Sequence, residues 1–170
     1  MNLSLVPLGE VKPALLRTVA RDLDKTGYFV RIQPKRELPS SAYRADRKQY
    51  QAEKLLKSLE KYRDERVLGV TMKGMCHYLS NHIAGFSELP GRTAVISLYR
   101  QHDKSFAQSR LTADECAAHE LGHTMGLEHC KNRACVMYAG KTATIVDGIC
   151  VSFCNHCREK LVQSGYQFLH

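Results

Sequence analysis

The sequence lacks the long apolar segments that a membrane-spanning helix needs. It contains no run of eighteen apolar residues, whereas a helix needs about 20 to cross a bilayer. No basic cluster precedes the first apolar stretch, which Pro7 and Gly9 interrupt, so we expect no signal peptide. The seven cysteines are odd in number, and without export a disulfide framework is not favoured. We therefore expect a cytoplasmic protein with reduced thiols and no membrane association.

The bulk composition is that of one ordinary soluble domain. The chain has 170 residues, of which 44% are hydrophobic and 25% charged, enough to build a sizeable core. A net charge of +8 could attract nucleic acid. The basic residues are, however, mixed with acidic ones and show no aromatic interleaving, which favours a solvated basic face over a nucleic-acid site. We expect a single domain over residues 1–170, acting as a monomer.

The strongest chemical signal is a histidine motif between Leu111 and Met137. It has the form His-Glu-x-x-His-x-x-Gly-x-x-His, and its members are His119, Glu120, His123, Gly126 and His129. Residues four apart lie on one face of a helix, so two imidazoles can reach one metal ion. Glycine can adopt the left-handed conformation that ends a helix and returns the chain with a third imidazole.

Three protein ligands leave one position of a tetrahedral zinc open, which is typical of a catalytic site. Glu120, beside the metal on the helix, could deprotonate a bound water. The alternative is a set of ordinary helical histidines, which the five fixed positions of the long motif disfavour.

Thr112 and Glu115 have the spacing of a capping box, which predicts that this helix begins there. Ala118, Leu121, Gly122 and Met125 would form its apolar side.

A second constellation consists of four cysteines in two short-spaced pairs. Cys130 and Cys135 make the first pair, and Cys154 and Cys157 the second. Four thiolates suit a closed, structural zinc site. The alternative is a set of scattered buried thiols, which is how we interpret the remaining cysteines: Cys76, Cys116 and Cys150.

The remaining sequence predicts alternating strands and helices. A strand over Leu3–Leu8, a helix from Pro13 and a strand over Tyr28–Ile32 indicate a parallel βαβ unit. Residues 34–45 suggest a surface loop, and the capping-box spacing of Asp46 and Gln49 suggests the start of a second helix. Further elements are strands over Val67–Met72, His82–Phe86 and Thr93–Tyr99, a loop over Tyr138–Cys150 and a short helix after Phe153.

The long histidine motif followed by a Cys-x-Met turn resembles the metzincin clan of metallopeptidases, and the four cysteines resemble the archaemetzincins specifically. The resemblance implies zinc-dependent hydrolysis of peptide or protein substrates, with Glu120 as general base and Met137 packed beneath the catalytic metal. It also implies two Zn²⁺ ions per chain. The catalytic ion would bind His119, His123 and His129, and the structural ion would bind Cys130, Cys135, Cys154 and Cys157.

The resemblance further implies the fold. We expect an α/β (α+β) class protein with a mixed five-stranded twisted sheet packed on two main helices. An N-terminal subdomain over residues 1–128 would precede a C-terminal one over 129–170, built around the cysteine site. An antiparallel edge over His82–Glu88, with Ile83, Ala84, Gly85 and Phe86 as its candidate substrate residues, would border the cleft and bind peptide by strand addition.

One position departs from the pattern of some metzincins. Their tyrosine two residues after the methionine, which helps to stabilise the oxyanion, is replaced here by Ala139. A different class of function is a non-enzymatic zinc protein that binds peptide or nucleic acid. That class gives no reason for Glu120 inside the histidine motif, so we favour the peptidase.

Overall fold

The computed structural model describes residues 1–99, 106–139 and 152–166, and for residues 106–112 it describes the backbone alone. Its strands are β1 Asn2–Leu8, β2 Phe29–Ile32, β3 Tyr43–Arg44, β4 Gln49–Gln51, β5 Arg66–Thr71, β6 Met75–His77, β7 Ser80–Ile83, β8 Gly85–Ser87 and β9 Thr93–Ser97. Its helices are α1 Pro13–Asp24, α2 Ala52–Leu59, α3 Phe106–Thr124 and α4 Asn155–Gln163, with a 3₁₀ turn at Ser40–Ala42. Within these ranges no helix is long and apolar enough to cross a membrane.

The main sheet has five strands in the order β2-β1-β5-β9-β8. The first four run parallel, and β8 pairs antiparallel with β9 at the edge. The inner strands β1, β5 and β9 are mainly apolar and nearly fully buried, as expected for parallel strands that are covered on both faces. The predicted βαβ unit and the mixed five-stranded sheet with an antiparallel edge are confirmed.

Helices cover both faces of this sheet. On one face α1 and α3 pack against alternate strand residues such as Leu3, Leu68 and Ile96. On the other face α2 packs against the intervening residues, including Val6 and Val67. The contacting side of α3 consists of residues at intervals of four, namely Ala113, Ala117 and Leu121. The predicted fold class, with α1 and α3 as its two main helices, is therefore confirmed.

A second sheet, in the order β3-β4-β6-β7, was not predicted. The prediction that Asp46 and Gln49 begin a helix is wrong, because these residues belong to the β3–β4 hairpin and α2 begins only at Ala52. In the turn, Asp46 accepts two hydrogen bonds from Arg44, at 2.9 and 2.8 Å. Residues that cap helices also stabilise turns, so the four-residue spacing did not distinguish the two.

The predicted start of the active-site helix is also wrong. Helix α3 begins at Phe106, so Thr112 lies in its second turn and cannot be its cap. The residues before Thr112 include Ala107, Gln108 and Arg110, which are good helix formers that extend a helix readily.

The predicted strand His82–Phe86 is divided between the two sheets. Ile83 belongs to β7, which pairs with β6, whereas Gly85 and Phe86 belong to β8 at the edge of the main sheet. Ala84 joins them, and its carbonyl accepts a hydrogen bond from Ser97 N–H at 2.7 Å. The strand that borders α3 is therefore shorter than predicted and ends at Ser87.

The C-terminal residues form a hydrophobic cluster of their own. Met137, Cys157 and Leu161 pack together with Met125 and Leu127 from the end of α3. The predicted short final helix is present as α4. The predicted loop over Tyr138–Cys150, including Cys150, lies outside the described residues from position 140 onwards. This cluster contains residues from both sides of the expected subdomain boundary at residue 128. The division into two subdomains therefore stays a prediction.

Candidate metal centres

Helix α3 and the turn after it bring three imidazoles together. His119 and His123 lie one turn apart on the helix, and His129 follows from the returning chain. One nitrogen from each ring lies within 4.8 Å of the others. The ring centroid of His129 lies 5.4 Å from that of His119 and 4.9 Å from that of His123. All three predicted histidines therefore converge on one point.

The return of the chain depends on a glycine turn at the end of α3. Gly126 has φ 91°, a conformation that costs other residues free energy. Its N–H donates to His123 O at 2.9 Å, and Leu127 N–H donates to Gly122 O at 3.1 Å. These two bonds form a Schellman motif, which ends a helix and reverses the chain. The sequence prediction for Gly126 is confirmed.

Backbone carbonyls fix the orientation of the two helical imidazoles. His119 Nδ1 lies 2.7 Å from Val136 O, and His123 Nδ1 lies 2.7 Å from Leu127 O. A carbonyl oxygen only accepts, so both Nδ1 atoms carry the proton and both Nε2 atoms keep a free lone pair. This arrangement is usual for metal-binding histidines.

The two lone pairs point at each other, which is favourable only with a cation between them. His119 Nε2 and His123 Nε2 are 3.1 Å apart. Two nitrogens on a tetrahedral zinc with bonds of about 2.05 Å would be about 3.3 Å apart. Burial lowers the pKa of His123 to about 4, so this ring is neutral and able to bind metal at neutral pH. The residues therefore fit a zinc ion.

Glu120 lies beside the imidazoles and is largely buried, with 8% of its surface exposed. Its Oε2 accepts a hydrogen bond from Ser87 Oγ at 2.6 Å. Burial raises the pKa of Glu120 to about 7, although the Ser87 hydrogen bond opposes the rise. A carboxyl group with such a pKa can both accept and return a proton near neutral pH.

Strand β8 runs past Glu120, and no strand among the described residues pairs with its outer edge. Ala84 O and Glu88 N–H both bond to β9, so the alternation of an antiparallel pair directs the backbone groups of Gly85 and Ser87 away from β9. Gly85 and Ser87 also share the strand face that meets Glu120. Phe86 points to the opposite face and packs with the α2 cluster. A peptide paired with this edge would pass beside the carboxylate.

The four predicted cysteines converge in the C-terminal region, with their sulfur atoms within 4.8 Å of one another. Cys130 and Cys154 are 3.8 Å apart and Cys135 and Cys157 are 3.7 Å apart, measured between Sγ atoms. These distances exclude disulfide bonds, which require about 2.05 Å. A tetrahedral zinc with Zn–S bonds of about 2.3 Å would separate its sulfurs by about 3.8 Å, so this cluster also fits zinc.

The thiols differ in how easily they lose a proton. Burial raises the pKa of Cys135 and of Cys157. Burial acts in the same direction on Cys154, but N–H and thiol donors from the other cysteines outweigh it and lower the pKa to about 7. One thiolate can thus form unaided, whereas holding four needs the positive charge of a metal.

The segment Cys135–Val136–Met137 links the two clusters. Cys135 belongs to the sulfur cluster, and Val136 O orients His119. Met137 is fully buried, and its Sδ lies so close to Gly122 that a Cβ there would overlap it. Met137 therefore packs directly against the helix that carries the imidazoles, and its position beneath a catalytic metal stays a prediction.

Several groups of this site have no signature in the sequence. The carbonyls of Val136 and Leu127 could not have been found, because every residue carries one. Ser87 could have been found, since it follows Gly85 by two residues and strand alternation puts both on one face. The expected edge segment His82–Glu88 contained Ser87, but Ser87 was not named as a site residue.

Comparison with known proteins places these features in a family. The model of Peptidase family M54 matches residues 19–163. The archaemetzincin of Methanopyrus kandleri is 36% identical over 169 residues, covering 95% of each chain. The archaemetzincin of Methanocaldococcus jannaschii is 32% identical over 171 residues, covering 97% of this chain and 95% of that protein.

Solved structures show the same similarity in three dimensions. The crystal structure of the archaemetzincin from Methanopyrus kandleri aligns with TM-score 0.84 and 34% identity, covering 96% of this chain and 94% of that one. The archaemetzincin from Archaeoglobus fulgidus, complexed with malonate, aligns with TM-score 0.83 and 32% identity, covering 94% and 99%. The similarity therefore extends over nearly the whole length of both proteins.

Proposed function

Because this chain belongs to peptidase family M54, the archaemetzincins, and is therefore a zinc metallopeptidase, we propose that Glu120 is its general base and that His119, His123 and His129 hold the catalytic zinc. The observation that carries the proposal is the convergence of three imidazole nitrogens within 4.8 Å of one another beside the largely buried Glu120. A zinc ion there would supply a Lewis acid for the scissile carbonyl and lower the pKa of a water molecule.

The protein's own groups perform the proton transfers. Glu120, when ionised, takes a proton from the attacking water and passes it to the leaving amine. Its pKa of about 7, raised by burial, keeps both directions of transfer available near neutral pH. Val136 O and Leu127 O hold the two helical imidazoles in the tautomer that binds metal.

We assign a second, structural zinc to the four cysteines, giving two ions per chain. Cys135 and Cys157 are buried, and Cys130 and Cys154 are partly buried, so four protein ligands would enclose the ion and leave no open position for substrate. Cys76 and the four cysteines of the cluster form no disulfide bond, which supports a reducing compartment such as the cytoplasm.

The substrate is a peptide that binds in extended form along β8. The outward N–H and C=O groups of Gly85 and Ser87 can add a strand to the main sheet. Of the residues predicted for this role, Gly85 fits it, because its backbone groups face the outer edge, whereas Ala84 and Phe86 face β9 and Ile83 pairs in the second sheet. A proline at Gly85 would overlap Glu120, so the peptide is the better place to test this pairing.

The proposal for Glu120 is tested by Glu120→Ala with His123→Ala as the matched variant. Glu120→Ala is expected to lose activity by about 10²–10⁴-fold, the usual contribution of a general base, while it keeps its zinc. His123→Ala is expected to lose both activity and one zinc. The measurements are hydrolysis of a pooled library of quenched-fluorescent peptides and zinc per chain by elemental analysis. Cleavage by Glu120→Ala at the wild-type rate would overturn the mechanism.

A further inference from the structure

The contact between Ser87 and Glu120 joins the edge of the main sheet to the active-site helix. Ser87 Oγ lies 2.6 Å from Glu120 Oε2, the distance expected when a hydroxyl donates to an ionised carboxylate. Among the described residues, Ser87 is the side chain that hydrogen-bonds this carboxylate. Its hydroxyl therefore distinguishes one oxygen of Glu120 from the other.

The absence of a side chain at Gly85 allows this contact. A Cβ at Gly85 would lie 2.5 Å from Glu120 Cγ and 2.6 Å from Cδ, closer than carbon atoms can approach. Gly85 and Ser87 are two residues apart on one strand face, so the strand both leaves room for the carboxylate and supplies its donor. The terminal torsion of glutamate is otherwise broad, and the hydrogen bond restricts it.

We propose that Ser87 is the positioning residue of Glu120. Its hydroxyl holds Oε2, while Oε1, the second oxygen, lies against Gly85, so the strand fixes the orientation of the carboxylate that would take the proton of the water. The inference rests on the proposed role of Glu120 as general base. Ser87 itself does not exchange a proton with the substrate, and it acts only through the carboxylate.

The two ends of Ser87 have separate tasks, which gives the proposal a specific kinetic signature. The side chain meets Glu120, whereas the backbone N–H and C=O face the open edge where the peptide would pair. Removal of the hydroxyl leaves those backbone groups in place. Loss of Ser87 Oγ should therefore lower kcat without raising KM, because peptide binding is unaffected and only the chemical step is slowed.

The experiment compares Ser87→Ala, Ser87→Thr and a control, Ser58→Ala. Ser58 Oγ donates to Leu55 O at 2.6 Å in a similarly part-buried setting on α2. Ser58→Ala therefore removes a comparable hydrogen bond at a position away from Glu120. Ser87→Ala is expected to lose about 10- to 100-fold in kcat, the usual effect of removing a group that orients a metal-site residue. Its KM and zinc content should be unchanged, Ser87→Thr should recover most of the rate, and Ser58→Ala should match wild type.

A thermal-unfolding cycle tests the same contact without activity. Ser87→Ala should lower the melting temperature less in the Glu120→Ala background than in wild type, because the partner is already absent. Equal shifts in the two backgrounds, or wild-type kcat in Ser87→Ala, would overturn the proposal. So would a fall in kcat accompanied by loss of zinc. If Glu120→Ala were active, the general-base assignment would fail, and the cycle would still decide whether Ser87 and Glu120 are coupled.

Discussion

The two candidate metal centres of this protein differ in where their proposed ligands come from. His119, His123 and His129 belong to one helix and the turn after it, and that helix packs on the main sheet. The four cysteines come from two separate segments, 130–135 and 154–157, which meet in a small cluster of their own. We therefore expect the surroundings of the histidine site to be stable without a metal, because the main sheet supports them. We expect the surroundings of the cysteine site to depend on a metal for their stability.

The accessibility of the ligands shows the same contrast. His129 is exposed, and three nitrogen ligands leave a coordination position for substrate. Two of the four cysteines are buried, and four sulfur ligands leave none. We infer that the first centre is adapted to exchange ligands and the second to prevent exchange.

The centres are nevertheless joined by three consecutive residues. Cys135 is in the sulfur cluster, Val136 O orients His119, and Met137 packs beneath Gly122. We therefore expect a disturbance of the cysteine centre to reach the histidine centre through this short segment, whereas loss of a metal from the histidines should leave all four sulfurs in place.

Cys157→Ser should give the largest effect and tests this asymmetry. Zinc binding contributes about 10–16 kcal/mol in small zinc-finger peptides, comparable to or above the total stability of a typical domain, about 5–15 kcal/mol. We expect the cysteine zinc to be lost, the melting temperature to fall, and hydrogen-exchange protection to disappear over residues 152–166. Protection of the main sheet should be retained. The measurements are elemental analysis, thermal unfolding and hydrogen exchange.

The control for this variant is Cys76→Ala, which removes a buried thiol outside the cluster. It should keep both zinc ions and the protection of the C-terminal residues. Normal melting and normal zinc content in Cys157→Ser would contradict a structural second metal.

Gly122→Ala should give a moderate effect and tests the link between the centres. Its Cβ would lie 2.9 Å from Phe153 Cε1 and 3.3 Å from Met137 Cε, and would overlap Met137 Sδ. Overpacking of this kind costs about 1–3 kcal/mol, which outweighs the gain of about 1 kcal/mol in helix propensity. We expect the free energy of unfolding to fall by up to about 2 kcal/mol, as measured by denaturant titration.

The size of the Gly122 effect depends on Met137, which provides the check. In a Met137→Ala background the overlap with the sulfur is gone and only the close approach to Phe153 remains, so Gly122→Ala should cost less stability than in wild type. The same loss of stability in both backgrounds would show that the contact between helix α3 and Met137 is not what limits residue 122.

N-methylated peptides should give the smallest effect and probe the histidine centre alone. If the substrate pairs with β8, only every second amide of the peptide faces the strand. Each such N–H contributes about 0.5–1.5 kcal/mol, so its methylation should raise KM by up to about ten-fold. Methylation of the intervening amides should change KM little and serves as the internal control. A uniform effect along the peptide would rule out pairing along this edge.

Local sequence patterns predicted those elements whose stabilising contacts join residues close together in the sequence. The βαβ unit follows from apolar spacing and flanking turn residues, and it is present, as is the short helix predicted after Phe153. Asp46 with Gln49 and Thr112 with Glu115 have the spacing of capping boxes, yet neither begins a helix. The same side chains suit turns and helix interiors, so four residues of sequence do not decide between them.

The second sheet was missed for a different reason. Its strands are two to four residues long, too short for an alternating pattern to be recognised. Tyr50 and Met75, for example, pair in parallel across 25 positions of the chain. Such pairing depends on the surrounding fold, and it also divided the predicted strand His82–Phe86 between two sheets.

The sequence by itself determined which side chains could share a metal. The interval from His119 to His123 is one helical turn, Gly126 permits the turn that follows, and each pair of cysteines is close in the chain, so local geometry sufficed. Only the tertiary structure decided how those side chains are held. Val136 O reaches His119 across 17 positions and Ser87 reaches Glu120 across 33. Contacts at such separations depend on how the sheet and the helices pack, which no short motif encodes.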